Sequence, residues 1–250
     1  LHLYQELGIE FLKYLSGMFA LTIYDKNINK VYIVRDHYGM RPLFYMHKNN
    51  RVYFASEIKS FLDLSCFKDE IDYEAIYHYF SLIYIPGQHT PFKDITELDG
   101  GHLLEIDLEK SQVQLREYYR LNYETDYSMT EKEAITGFYE VMLDSMDRNM
   151  ISDAPLGLIL SGGIDTSAML AMAKELGKSE KIHTFSLKMN EDSFDESKYQ
   201  HIMVDYAKSI HHEITVNPQD VIDSMLIQMA YMDEPSGNGA VIPSYLLAKE

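Results

Sequence analysis

Leu156-Gly157-Leu158-Ile159-Leu160-Ser161-Gly162-Gly163-Ile164-Asp165-Thr166-Ser167 decides the architecture of the second half of this chain. The apolar run from Leu156 to Leu160, entered through Pro155, has the form of a strand buried on both faces of a parallel sheet. The glycine- and hydroxyl-rich turn after it leads into a helical pattern from Thr166 to Leu176. Backbone N–H groups and the hydroxyls of Ser161, Thr166 and Ser167 therefore converge where the helix dipole is positive, which suits an anion. Gly162 and Gly163 let the backbone approach phosphate oxygens, and Asp165 is placed to hold Mg²⁺ against them. The GxxxxGK[ST] pattern and its lysine are absent, so this is not a Walker A loop. A tight turn with Ser161 or Asp165 as helix N-cap would account for a bare Ser-Gly-Gly. Three hydroxyls and an acid on the same turn favour the anion site.

Outward from this turn the chain alternates. Helices are expected over Glu131 to Asn149, Glu196 to Ile210 and Gln219 to Tyr231, with strands over Ile182 to Leu187 and His212 to Val216. That alternation predicts an open α/β sheet whose ligands sit at the carboxyl ends of the strands, here around 160–167, 187–195 and 232–240. The first half has another texture. Leu3, Leu7, Phe11, Leu12 and Leu15 keep helical spacing, after which short β-type runs follow one another across Asp25 to Asn29 and across Asn49-Asn50, both hairpin signals. Short helices are expected from about Glu57 and over Asp72 to Leu82, and two further strands within 102–118. The whole reads as an antiparallel, β-rich α+β segment followed by an α/β segment.

At 250 residues and 46% hydrophobic content the chain has ample material for a core. The net charge is -17, with 24 acids and 15 bases in residues 1–150 leaving 15 and 7 in 151–250, so the acidity is spread and not a tail. Such a chain is not expected to bind nucleic acid or anionic membrane through its overall field, and any phosphate chemistry must be local. Cys66 is the single cysteine, which excludes an internal disulfide and, with no signal-like segment, favours a reducing, cytoplasmic setting. No apolar run approaches the roughly 18 residues of a membrane span. Starting at Leu1 without Met and stopping within a helical pattern at Glu250, the sequence reads as an internal segment of a longer protein.

SGGxD[ST]S after such a strand resembles the pyrophosphate loop of the ATP-pyrophosphatase, or PP-loop, superfamily. Ser152-Asp153-Ala154-Pro155-Leu156-Gly157, His183-Thr184-Phe185-Ser186-Leu187, Phe194-Asp195-Glu196-Ser197 and Asp233-Glu234-Pro235 followed by Ile242-Pro243-Ser244-Tyr245-Leu246-Leu247 narrow the match, because they occur in that order in asparagine synthetases. The first half agrees independently. Leu15-Ser16-Gly17-Met18-Phe19-Ala20, Arg35-Asp36-His37-Tyr38-Gly39-Met40-Arg41-Pro42-Leu43-Phe44-Tyr45 and Phe54-Ala55-Ser56-Glu57-Ile58-Lys59-Ser60 resemble the later part of their N-terminal-nucleophile glutaminase domain. The resemblance is to glutamine-hydrolysing asparagine synthetases of the B type. It implies a partial N-terminal-nucleophile glutaminase sandwich over 1–127 and the start of a doubly wound PP-loop synthetase domain over 128–250.

The resemblance also implies a chemistry. ATP would activate aspartate as β-aspartyl-AMP with release of pyrophosphate, and ammonia from glutamine would displace AMP. Ser161, Gly162, Gly163, Thr166 and Ser167 would cradle the phosphates, Asp165 would hold Mg²⁺, and backbone groups of Leu160 and Leu187 would hold the adenine. Asp195 and Glu196 are N-cap or substrate residues, and Asp233 and Glu234 are candidate acids of the same site. The family's glutaminase Cys and its glutamine-binding residues would precede Leu1, Cys66 matches none of them, and an SGxGxDE loop would follow Glu250. No catalytic residue is therefore assigned within the segment. Ile164 and Thr166 stand where Leu and Ser are commoner, keeping an apolar anchor and a hydroxyl.

Other candidates have plainer readings. Arg35, Asp36 and Gly39 read as an ion pair and a turn glycine, and Tyr77, Tyr79, Phe80 and Tyr84 as core and domain contacts. His211-His212-Glu213 offers metal-ligand types, but adjacent strand residues point to opposite faces, which argues against a metal there. Two rival functions remain: another carboxylate-adenylating amidotransferase, β-lactam synthetase-like, or a catalytically silent amidotransferase-like binding protein. A homodimer is open on this reading.

Overall fold

A computed structural model describes residues 1–189 and 196–249. The chain divides into two compact units, Leu1–Glu124 with Met232–Gly237, and Thr125–Tyr231 with Asn238–Glu250.

In the first unit the opening amphipathic stretch is two pieces, α1 (His2–Leu7) and a 3-10 turn over Gly8–Tyr14, because the chain breaks at Gly8 with φ 59°. Then come β1 (Ala20–Asp25) and β2 (Lys30–Arg35), joined across Asn29 at φ 50°. The next hairpin, β3 (Phe44–Lys48) and β4 (Arg51–Ala55), turns on Asn49 and Asn50, both at positive φ, the conformation that two-residue hairpin turns require. Helices α2 (Lys59–Leu62) and α3 (Tyr73–Leu82) follow, the latter capped by the Asp72 carboxylate, which accepts from the Glu74 and Ala75 N–H groups. β5 (Thr96–Glu97), β6 (His102–Asp107) and β7 (Gln112–Glu117) complete two antiparallel sheets, ordered β1-β2-β6-β7 and β4-β3-β5.

Alternation along the strands explains the layers. Ile33 of β2 and Leu104 of β6 meet Leu43 and Leu98, with Tyr45 of β3 and Val52 of β4 packed alongside, so the two sheets stack face to face. On the outer side of the larger sheet, Tyr32, Val34 and Leu103 pack against Phe11 and Leu12 of the opening helical stretch. On the outer side of the smaller one, Phe44 and Met46 pack against Ile58 and Phe61, with Cys66 at the edge. Tyr77, Phe80 and Tyr84, expected as core and domain contacts, are exposed and so not part of the core. On a single turn-rich helix their spacing did not distinguish a packed face from an open one.

The turn after β2 ties the sandwich together. Asp36 is buried and accepts from the backbone N–H groups of Phe19, Tyr38, Met40 and Arg41 at 3.0–3.3 Å. Arg35 donates to the carbonyls of Arg41, Leu98 and Gly39 and pairs with Glu97 at 2.6 Å, so its ion-pair partner lies across the sandwich and is not the adjacent Asp36. Gly39, at φ 66°, is also where a Cβ would press to 3.1 Å of the Arg35 guanidinium.

The second unit begins with α4 (Glu131–Asn149), closed at its start by a Thr130/Glu133 capping box. β8 (Gly157–Ile159), α5 (Ile164–Glu175), β9 (His183–Met189), α6 (Ser197–Ala207), β10 (Ile210–Val216), α7 (Pro218–Met229) and α8 (Val241–Lys249) follow. The three strands are parallel and ordered β10-β9-β8. Leu158 and buried Leu160 pack with Leu170 of α5 and Met203, Val204 and Ala207 of α6. The expected burial of β8 on both faces does not hold. Among the described residues β8 stands last in the strand order, and Ile159, pointing away from α5 and α6, is 52% exposed.

Burial raises the Asp36 pKa, but the backbone N–H donors outweigh it and the group stays below the ordinary carboxylate range. Its stabilisation should be complete above about pH 4 and be lost as pH falls through the depressed pKa. Asp36→Ala strands several buried N–H groups and should cost about 3 kcal/mol, read as faster hydrogen exchange of first-unit amides in the full protein.

Candidate functional site

β8 delivers the chain to a turn whose backbone has no freedom to relax. The Leu160 N–H donates to the Phe185 carbonyl of β9 at 2.8 Å, and the buried Ser186 hydroxyl donates back to the Leu160 carbonyl at 2.8 Å. Both backbone groups of Leu160 are thus engaged in the sheet, so their expected contact with adenine has to share partners already in place. Gly162 takes φ 91°, and a Cβ there would lie 3.1 Å from the Glu196 carbonyl and 3.3 Å from the Gln200 side chain. Only glycine satisfies both constraints.

Gly163 is the N-cap of α5, so no capping side chain fills the first-turn amides of that helix. Ser161 Oγ lies 3.1 Å from Thr166 Oγ1 and accepts from the Gly163 N–H at 3.3 Å, which draws two hydroxyls to the mouth of the helix. Ser167 sits one turn in, its N–H donating to the Gly163 carbonyl at 3.1 Å. Asp165 is exposed in the first turn. Ile164 is 87% exposed and anchors nothing within the unit, contrary to the apolar role expected of it. An uncapped helix N-terminus carrying hydroxyls and an outward carboxylate can take an anion together with a divalent cation.

Gln200 was missed by sequence reasoning. It is 3% exposed on α6, and its amide donates to the carbonyls of Ser161 at 3.2 Å and Leu187 at 3.4 Å, linking the loop to the end of β9. Its Oε1 is buried without a hydrogen-bond partner. The available signal was a glutamine on the core side of a helix that otherwise buries Met203, Val204 and Ala207. Glu196 occupies the N-cap position of α6 but makes no side-chain capping bond. Asp195 lies outside the described residues.

Residues 1–119 match the family model for a glutamine amidotransferase domain, and residues 137–250 match that for asparagine synthase. The two family models follow one another along the chain, each covering a little under half of it. It is 31% identical over 253 residues to a putative asparagine synthetase [glutamine-hydrolyzing] 2 of Methanocaldococcus jannaschii, covering 100% of this chain and 48% of that protein. Against asparagine synthetase [glutamine-hydrolyzing] 2 of Bacillus subtilis it is 36% identical over 232 residues, 84% of this chain and 29% of the relative. Asparagine synthetase [glutamine-hydrolyzing] 1 of the same organism gives 31% over 243 residues, 94% and 37%. The chain thus spans about half the length of these relatives or less.

Asp233 and Glu234 group with the first unit. Asp233 accepts from the Ile58 N–H at 2.5 Å, and Gly237 approaches Ile83 and Tyr79 so closely that a Cβ would collide with the Ile83 side chain. Burial, with Glu97 and Asp233 nearby, pushes the Glu234 carboxyl up to about 7, against the pull of Arg35. Because this pKa is raised on folding, the protonated acid stabilises the fold fully below about pH 4.3, the unfolded value, and that contribution is lost as pH rises towards 7. Glu234→Gln should flatten that loss and raise stability near pH 8 by on the order of 2 kcal/mol; thermal melts of the full protein from pH 5 to 8 check it.

Proposed function

We propose that the complete protein is a carbon–nitrogen ligase that makes asparagine from aspartate, ATP and glutamine, with the glutaminase part over 1–127 and the synthetase part over 128–250. The observation that carries this reading is the glycine-capped start of α5, with Ser161 and Thr166 hydroxyls 3.1 Å apart at its mouth, at the carboxyl end of β8. A carboxylate resists acyl transfer, because its charge repels nucleophiles and oxide is a poor leaving group. Attack of the aspartate β-carboxylate on the α-phosphorus of ATP removes both faults, forming the aspartyl C–O–P bond as the α–β phosphoanhydride breaks. Negative charge grows on the departing pyrophosphate. The first-turn amides of α5 and the hydroxyls of Ser161, Thr166 and Ser167 donate to that charge, while Gly162 and Gly163 keep the approach free of Cβ atoms. Asp165, an exposed hard-oxygen donor beside the hydroxyls, suits Mg²⁺, which when bound supplies charge shielding of the phosphates.

Ammonia then displaces AMP from the acyl carbon. Ammonium is not nucleophilic, so the nitrogen has to arrive unprotonated, from glutamine hydrolysed in the amidotransferase half. Leu160 and Leu187, at the ends of adjacent strands, suit the adenine edge, and Gln200 braces the two backbone segments against each other. Cytoplasmic residence fits a chain whose sole cysteine is free and in which no described helix is long and apolar enough to cross a membrane. A homodimer is compatible with this reading and rests on no contact in the chain itself.

Asp165→Asn in the full-length protein should abolish pyrophosphate release, at least 100-fold by analogy with loss of one electrostatic stabiliser, and leave glutamine hydrolysis largely intact. Unchanged synthesis would remove Asp165 from the metal role. ATP–pyrophosphate exchange across a panel of amino-acid carboxylates separates aspartate from another acceptor of the β-lactam synthetase kind.

A further inference from the structure

β10 and α6 of the second unit bring together a half-exposed group of side chains. His211 and Glu213, two residues apart on β10, point to the same face of the sheet, towards α6, and His201 reaches them from that helix. One ligand-type atom from each lies within 4.8 Å of the other two, the one such group of histidine, cysteine or acidic side chains among the described residues. Alternation along the strand does exclude His212, which stacks on Phe185 and His183 of the opposite face. It does not exclude its two neighbours, because the third ligand comes from outside the strand.

We propose that His201, His211 and Glu213 form a binding site for a divalent transition metal of the Zn²⁺ class. Two imidazoles and one carboxylate suit Zn²⁺ and its neighbours in the series, and not Mg²⁺ or Ca²⁺, which take oxygen ligands. His201 Nε2 already stands 3.1 Å from Glu213 Oε2. Around a tetrahedral ion with ligand bonds of about 2.1 Å, neighbouring donors lie roughly 3.4 Å apart. That edge is therefore formed, and His211 needs only to close by about an ångström.

Two features of His211 point to a ligand. Its Nδ1 lies 3.1 Å from the Thr184 hydroxyl of β9, itself 3.0 Å from the Ser209 hydroxyl, the kind of outer partner that fixes a metal-binding imidazole's tautomer. Its Nε2 is then the free donor atom, and it is buried with no hydrogen-bond partner. An orphaned ring nitrogen costs free energy that a bound cation would recover. Lys188 is the competing cation, 3.7 Å from the other oxygen of Glu213, which leaves Oε2 for the metal. An ion here would join α6 to β10 one residue from Gln200, the side chain that holds the Ser161 and Leu187 carbonyls.

The full-length protein, stripped with chelator, is titrated with ZnCl₂ by calorimetry and with CoCl₂ by visible absorption. One equivalent per chain is expected, with Kd on the order of 1 µM or tighter and the Co²⁺ bands of a four-coordinate centre completed by water. His201→Ala, on the exposed side of the site, and Glu213→Gln should each remove that equivalent while leaving circular dichroism and gel-filtration behaviour unchanged. Thr184→Val should weaken it about 10- to 100-fold, and His212→Ala should leave it unaltered. Absence of a stoichiometric equivalent, its survival in both His201→Ala and Glu213→Gln, or its loss in His212→Ala with retention in His201→Ala would overturn the assignment.

Discussion

The amide hydrogens of a helix's first turn have no partners inside the helix, and everything at the candidate site follows from how α5 begins. A serine or aspartate at its N-cap would satisfy those amides locally and close the turn. Gly163 does not, and the turn before it is forced open by Gly162 at φ 91° and by the bonds that fix Leu160 to the Phe185 carbonyl and the Ser186 hydroxyl of β9. The helix therefore presents its positive end outward, with hydroxyls and an acid around it. Parallel strands β8 and β9 exist in this arrangement to hold that end still, and α6 supports it through Gln200. Affinity for an anion at such a turn would be a property of seven residues and one helix dipole, not of the net charge of -17.

Much of this was legible in the residues. Asparagine pairs and loops between β-type runs mark both hairpins because they tolerate positive φ, and Asn29, Asn49 and Asn50 adopt it. The change from period two to period 3.6 near Thr130 marks the α/β segment, and its capping box starts α4 where that pattern starts. What stayed hidden depends on contacts distant in sequence. An apolar run reads the same whether one face or both are covered, so the exposure of Ile159 was invisible. Gln200 looks like one polar residue among many on α6, and only its burial against two carbonyls gives it a role.

The acids Asp233 and Glu234 illustrate the opposite difficulty. They lie within the stretch 137–250 that matches the asparagine synthase model, while in space Met232–Gly237 group with the first unit. No local pattern reports such an excursion. Likewise His211-His212-Glu213, taken as a run, does not show that His201 of the preceding helix comes close to His211 and Glu213. In both cases side-chain chemistry was readable and its neighbourhood was not.

If the start of α5 is a pyrophosphate cradle, the bond broken in ATP must be the one between the α- and β-phosphates, and the carboxylate oxygen must pass to AMP. Aspartate labelled with ¹⁸O in its β-carboxyl group, turned over by the full-length enzyme with ATP and glutamine, tests this in one mass spectrum of the nucleotide product. One labelled oxygen recovered in AMP, with none in pyrophosphate, is the predicted result. Label in inorganic phosphate with ADP as the nucleotide, or none in any phosphorus product, would contradict it.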